Sequence, residues 1–425
     1  MDSLDENLRH PNASIQQAAA EAVGAFTRAY MPEGTANQVQ RTAQRYVPWL
    51  GDANPAVRRG AALALGRLPG ALLQPALGEV LEGLARAVEV EESAEDRVAE
   101  ARANAAGALR EVAREALAGN GASALGPLLG TVLPALLRGC EDFSVDKRGD
   151  VGSWVREAAM RGAGEVLAMA AEAADGDGDE DRAAVSGAAE RVVAALLRQS
   201  VERLGKLREA AGRHLLGVQA LGAARPWLSP GAVAAARATA PGPEAVAGLA
   251  EASPEALAGA LSLLREEAWG PAVMEGVVAS AGGVDFQLAS AVGDAVAWHV
   301  EAGGEGAARR VLALLVRCWR RHARSPRLAT PLLKTTEALF ARGCVGESTR
   351  LCACCRCPPA MSWQQSHRCW PCASLCVQAP RPLRGRSTPP TCSPWCGTSA
   401  GDARTSPASW LPRRASPTSP VPAAP

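Results

Sequence analysis

The sequence predicts an all-α protein, an α-solenoid of stacked helical repeats followed by a disordered tail. Three observations predict it. Alanine and leucine dominate, and aromatics make up 4% of the 425 residues. That mixture favours helices packed on small side chains over sheets, which draw on β-branched and aromatic residues. A residue frame recurs through the first half of the chain at intervals close to the length of a two-helix repeat. After residue 350 the character changes: residues 351–425 hold 14 of the 30 prolines, nine of the twelve cysteines and a single acid, Asp402.

The frame is clearest around Asp52. This acid stands six residues before Arg58; apolar Val57 precedes the arginine and Ala61 follows three residues after it. The same frame fits Asp96, Ala101, Arg102 and Ala105; Asp150, Val155, Arg156 and Ala159; and Glu202, Leu207, Arg208 and Ala211. A weaker copy has His10, Ile15, Gln16 and Ala19, and successive Gln or Arg positions lie 42, 44, 54 and 52 residues apart. These spacings suit HEAT or armadillo repeats, the longer two leaving room for loop insertions.

Each residue type has a physical reason. An acid between two helices caps the following helix or its neighbour, where exposed N–H groups favour negative charge. Pro55 is tolerated in a first turn, where its missing donor costs nothing. The apolar residue and the alanine four positions on share one face, and alanine there lets helix axes approach. The arginine is placed to reach the acid of the next repeat. Asp52, Arg58, Asp96, Arg102, Glu202 and Arg208 are therefore expected to form a structural ladder down the stack, the competing reading being direct partner contact.

The helices follow in order. Patterns over about 38–50 and 56–67 flank the Asp52 turn. The alanine, proline and glycine mixture of 222–242 predicts that this stretch contains a loop, and a helix runs from Pro254 to Trp269 with proline near its start. Further helical periodicity covers 287–301 and 305–323, and Ser325-Pro326 starts a helix to about Ala341.

Other signals exclude more than they assign. Net charge is +1, so neither nucleic acid nor an anionic membrane is an expected partner. The acidic N-terminus lacks an apolar signal region, and the sequence offers no run of the roughly 18 apolar residues a bilayer span requires. The expectation is a cytoplasmic protein, with Asn12-Ala13-Ser14 a chance sequon. Neither a P-loop nor a His-Glu-x2-His pattern occurs. Gly397 to Gly401 imitates a nucleophile elbow without its strand, helix or following histidine. Asp175 to Asp181 imitates a calcium loop, but Ser186 stands where the bidentate glutamate belongs, so a solvated loop is expected. His214 and His299 fall on helical patterns as packed or capping residues. In the tail, the Cys354/Cys357 and Cys369/Cys372 pairs with His367 are too close together for the usual zinc spacing. No catalytic residue, cofactor or metal is assigned. The tail reads as a translated intron or shifted frame, with genuine disorder as the alternative.

At Asp146-Lys147-Arg148-Gly149-Asp150-Val151-Gly152-Ser153-Trp154-Val155-Arg156 the sequence closely resembles the motif that opens the C-terminal domain of the tubulin-folding cofactor D family. Gly276 to Val284, an apolar helix ending in a double glycine, is similar to a second family stretch. Thr330-Pro331-Leu332-Leu333-Lys334-Thr335 with Gly343-Cys344 is similar to a third. The resemblance runs from about residue 5 to 346 and implies HEAT-type repeats over 1–140, a cofactor D-like C-terminal helical domain over 141–346, and a tail over 351–425. It also implies a portion of a longer solenoid. By resemblance, the chain is a non-enzymatic chaperone that binds β-tubulin during post-chaperonin assembly or disassembly of the αβ dimer. The family works with tubulin-folding cofactors E and C, stimulates GTP hydrolysis by tubulin, and binds an Arf-like small GTPase. The runner-up is a generic HEAT scaffold unrelated to tubulin. Arg148, Asp150, Trp154 and Arg156 are candidates for partner contact; the structural alternative has Trp154 filling the gap between helices and Asp150 capping.

Overall fold

The computed structural model describes residues 1–31, 36–90, 98–176, 178–281, 286–322 and 326–341, all within one compact unit, Met1–Val377. Asp96, Gly282 to Val284, Gly343-Cys344 and the whole 351–425 tail lie outside the described residues. Among the described residues the structure is helical with no strand; Asp146 and Gly149 form an isolated bridge.

The chain opens with α1 (Asp2–Leu8), α2 (Ala13–Tyr30), α3 (Ala36–Tyr46), α4 (Pro55–Leu65), α5 (Gly70–Leu73) and α6 (Leu77–Ala87). The long α7 (Ala99–Asn120) is followed by α8 (Leu125–Pro127), a π turn over Leu128–Val132, and α9 (Leu133–Gly139). Next come α10 (Gly152–Ala173), α11 (Asp179–Ser200), α12 (Gly205–Ala224), α13 (Pro230–Thr239), α14 (Pro243–Glu251) and α15 (Pro254–Ser262). The last three are α16 (Gly270–Ala281), α17 (Phe286–His322) and α18 (Pro326–Ala341).

Two helical layers share one apolar core. Helices α2, α4, α7, α10 and α12 pack each on the next, and α6, α9, α11 and α16 follow one another in the second layer. The core runs without a break from Leu8 to Leu339. The frame explains the close packing: Ala61, Ala105, Ala159 and Ala211 are fully buried, and Val57, Ala101, Val155 and Leu207 beside the arginines are buried too. A methyl at these positions fills the contact without pushing the helix axes apart.

One run, Ala99–Gly139, is apolar and long enough by composition to cross a membrane. It is not one rod. The helix breaks at Gly121, whose φ is +54°, and α7 packs on α4, α6 and α10.

Local chemistry sets several boundaries differently from expectation. The 38–50 pattern stops at Tyr46 and continues as a 3₁₀ turn over Pro48–Gly51, because Pro48 has no N–H to continue the ladder. The 222–242 stretch contains the expected loop, at 225–229, and beyond it the helix α13. There Ser229 caps the helix through a 3.3 Å bond from the Ala232 N–H, and Pro230 pre-sets the first turn; cap and alanines outweigh the flanking glycines. The helix from Pro254 tightens into a 3₁₀ turn at Leu263–Arg265, short of Trp269. The 287–301 and 305–323 patterns join in α17, with a kink at Gly304, where φ is +62°. Asn54, and not Asp52, caps α4: the Ala56 N–H donates to its Oδ1 at 2.9 Å. Asp52 instead accepts the Asn54 N–H at 2.7 Å and closes the turn.

Candidate functional site

The frame residues line up along the edge of the stack where one repeat turns into the next. Gln16 donates its amide to the Leu8 carbonyl at 2.8 Å and the Ala56 carbonyl at 2.6 Å. Arg58 donates to the Asp52 carbonyl at 3.1 Å. Arg102 pairs with an acid outside the frame: its Nε meets Asp142 at 2.7 Å and its Nη2 meets Ser144 Oγ at 2.9 Å. Arg156 is bidentate on Asp150 (3.2 and 3.0 Å) and reaches Glu202 of the next turn at 3.1 Å. Arg208 is held by carbonyls, those of Glu202 and Arg203 in its own turn and of Leu249 and Ala250 beyond. Gln16, Arg156 and Arg208 thus clamp their own turn to the following one.

The turn from Glu141 to Val151 is where most of this chemistry gathers. Asp142 and Ser144 are buried. The Asp142 carboxylate accepts the Ser144 N–H at 2.8 Å, and the Ser144 carbonyl accepts the Gly152 N–H at 2.8 Å. A Cβ on Gly152 would stand 2.3 Å from the Asp142 carbonyl oxygen, so only glycine lets α10 start this close to the turn. Gly149, at φ +104°, closes a tight loop with reciprocal 3.0 Å backbone bonds to Asp146; left-handed backbone of this kind favours glycine. Asp150 accepts the Ser153 N–H at 3.1 Å in the first turn of α10. Arg156, fully buried, also lies 4.8 Å over the Phe143 ring.

Outside this buried frame the turn presents a different surface. Trp154 does not fill a gap between helices: it is 40% exposed, and Val145 is 56% exposed. Arg148 stacks 5.0 Å over the Trp154 ring and is itself held by Asp146, at 2.7 and 3.0 Å, and by Glu100. The result is an aromatic and a guanidinium fixed against each other on a rigid turn. Trp and Arg are the residues that most often anchor protein interfaces.

The electrostatics match a structural network beneath an exposed surface. Burial would raise the Asp150 carboxyl, but hydrogen bonds and charge from Arg156 and Arg203 hold it below the ordinary range. Burial raises Glu202, and nearby Asp150 adds to that, against the attraction of Arg156. Arg148 is pushed up by its bonds to Asp146 and Glu100. The network holds fixed charges and no activated nucleophile. Buried Cys140 beside it is pushed up to about 12 by desolvation, which keeps the thiol protonated and inert.

A second ionic junction ties the later helices. Arg198 meets Glu141 at 2.6 Å and Glu275 at 2.8 Å; Arg321 meets Glu275 at 2.7 Å and Glu141 at 3.2 Å; His322 faces Glu275 at 3.6 Å. Burial opposes ionisation of Glu275, yet His322, Arg198 and Arg321 hold it down to about 2. Half-buried His214 is lowered by desolvation and by neighbouring arginines. It packs where a Cβ on Gly164 would come within 2.8 Å of its Nδ1.

The structure brings Arg148, Asp150, Trp154 and Arg156 onto one turn, with Arg102 and Glu202 beneath; Asp52, Arg58 and Arg208 serve other junctions of the same edge. Sequence reasoning missed Asp142, Ser144, Glu100, Arg203 and Gly152. Asp142-x-Ser144 is a recognisable turn signal, since an Asp side chain bonds the backbone two residues on. Among the described residues, no group of three or more His, Cys, Asp or Glu is arranged to hold a metal.

Comparison with known proteins finds a family model that matches part of the chain. The model described as "Tubulin folding cofactor D C terminal" matches residues 190–355. The match covers α12 to α18 and part of α11, and the 146–156 motif lies upstream of it. A crystal structure of an engineered protein is similar at 16% identity over 84% of each chain, with a TM-score of 0.32; a likeness of that size carries no argument.

Proposed function

We propose that the chain, whose residues 190–355 match the family model of the tubulin folding cofactor D C terminus, is a chaperone scaffold that binds β-tubulin in post-chaperonin assembly or disassembly of the αβ dimer. The family match is the observation that carries this reading. The geometry supports it in kind: a rigid helical stack presents Trp154, Arg148 and Val145 on a turn anchored by buried ion pairs, a surface suited to protein contact. The chain acts without a catalytic residue of its own. Stimulation of tubulin GTP hydrolysis would work by stabilising the tubulin site, together with cofactors C and E. An Arf-like small GTPase is a further expected partner, and the setting is the cytoplasm, at the microtubule cytoskeleton.

The test is capture of purified tubulin by the full chain, followed by size-exclusion chromatography. A stable complex, and a GTPase rate that rises when cofactors C and E join it, is the expected result. Failure to retain tubulin while other proteins co-purify specifically would favour the generic HEAT scaffold.

A further inference from the structure

Helix α2 is apolar on two sides. One side, with Gln16, Ala19, Ala20, Val23 and Thr27, is buried. The other faces solvent. It is led by Ile15, Phe26 and Tyr30: Ile15 is 37% exposed and Tyr30 72% exposed, and the Phe26 and Tyr30 rings lie 5.1 Å apart. From Ile15 the line continues through Ala18, Ala22, Ala25 and Ala29, at successive spacings of three, four, three and four residues. Ala18, Ala25 and Ala29 are exposed.

Apolar residues alternating at three and four positions form the seam of a two-helix coiled coil. Within the stack this seam is not used: α2 packs on α1 and α4, and the line from Ile15 to Ala29 still faces water. It spans about 21 Å. Glu21 and Arg28, both exposed, flank it on one side. Their contacts inside the chain are loose. Glu21 lies 4.0 Å from Arg67 and accepts a 2.8 Å bond from Gln17, and Arg28 reaches the Arg67 carbonyl at 3.5 Å.

We infer that a second copy of this chain covers this face, α2 pairing antiparallel with the partner's α2 about a two-fold axis. The charges select both the occupant and the direction. With Ala22 opposite the partner's Ala25, and Ala18 opposite the partner's Ala29, heptad geometry sets Glu21 against the partner's Arg28 and Arg28 against the partner's Glu21. A two-fold contact has to complement itself, and one acid and one base seven residues apart do so. A parallel pair sets Glu21 against the partner's Phe26 and leaves both charges unmatched. Alanine along the seam lets the helix axes approach to about 8 Å, and Tyr30 extends the contact over the partner's Ile15. One helix from each copy makes a small interface, so the pairing is weak and depends on concentration. This inference stands apart from the tubulin reading, since it concerns α2 and not the Trp154 turn.

The experiment is sedimentation velocity on the full chain over a concentration series at low salt, with reductant present so that the cysteines of 351–425 do not cross-link. The wild type is expected to pass from monomer to dimer as concentration rises. Glu21→Arg sets like charges against each other and should weaken the dimer about tenfold or more. The swap Glu21→Arg/Arg28→Glu restores complementarity and should recover association, which separates pairing from a folding defect. Ala25→Glu, at an exposed position, should abolish the dimer with the helical circular dichroism intact. A wild type that stays monomeric throughout overturns the inference, whichever other protein binds this face. So does a dimer that Ala25→Glu leaves unchanged. A dimer lost with Ala25→Glu but indifferent to Glu21→Arg overturns the antiparallel arrangement.

Discussion

Gln16 and Arg156 occupy the same place in the repeat frame, both buried and both spanning from one inter-repeat turn to the next, and they do it with different chemistry. Gln16 satisfies two backbone carbonyls with a neutral amide. Arg156 gathers Asp150 and Glu202 into a buried ionic cluster with Arg203 close by. A neutral clamp is enough to keep two repeats in register. The ionic one does more: with Asp142 and Gly152 it fixes the loop of about ten residues that carries Arg148 and the start of α10 that carries Trp154.

The largest expected effect tests that difference directly. Arg156→Ala leaves Asp150 and Glu202 buried without their shared cation and should cost about 3–5 kcal/mol in urea unfolding. A loss under about 1 kcal/mol would mean the cluster is not what holds the junction. Acid is the next lever. Asp150 and Glu275 both have folded carboxyls below the ordinary range, Glu275 at about 2. Their contribution is therefore complete above the unfolded value and is lost as pH falls from about 4.5 toward 2. Glu202, raised by burial, has the opposite sign and offsets part of the loss. Stability should fall steeply below about pH 4.5, and Glu275→Gln should flatten that slope; an unchanged slope would remove the second junction from the account.

Gln16→Ala comes third. It takes the side-chain donor away from two buried carbonyls, expected to cost about 1–3 kcal/mol, and because no charge is involved the cost should be the same at pH 4 and pH 7. A pH-dependent cost would break the distinction between amide and ionic clamps. Smallest is Trp154→Ala, whose half-exposed ring loses the Arg148 stacking, at about 0.5–1 kcal/mol. A much larger loss would make Trp154 a structural residue after all.

The repeat architecture was readable because it rests on spacing: frame alanines at fixed offsets from the arginines face inward, and a fully buried methyl tolerates little else. Which acid each arginine takes was readable only in part: Arg156 reaches Glu202, the acid of the next frame, as the spacing predicts. Asp150 and Asp142 both lie within reach of the α7–α10 edge, and the fold of the intervening turn gives Asp142 to Arg102 and Asp150 to Arg156. The orientation of Trp154 was equally hidden, since an aromatic near a helix start packs inward or outward depending on what the turn before it covers. Over 222–242 composition pointed to the loop at 225–229, while α13 beyond it depends on the Ser229 cap.

The most direct test of the account is tubulin capture by the full chain carrying Trp154→Ala with Arg148→Ala, set beside the wild type and an Arg237→Ala control. The account predicts that the double variant keeps its helical spectrum and most of its stability, yet retains tubulin at least about tenfold less well, as loss of a paired aromatic and arginine anchor implies. Undiminished capture by a folded double variant would contradict it and move the contact surface away from the 141–156 turn.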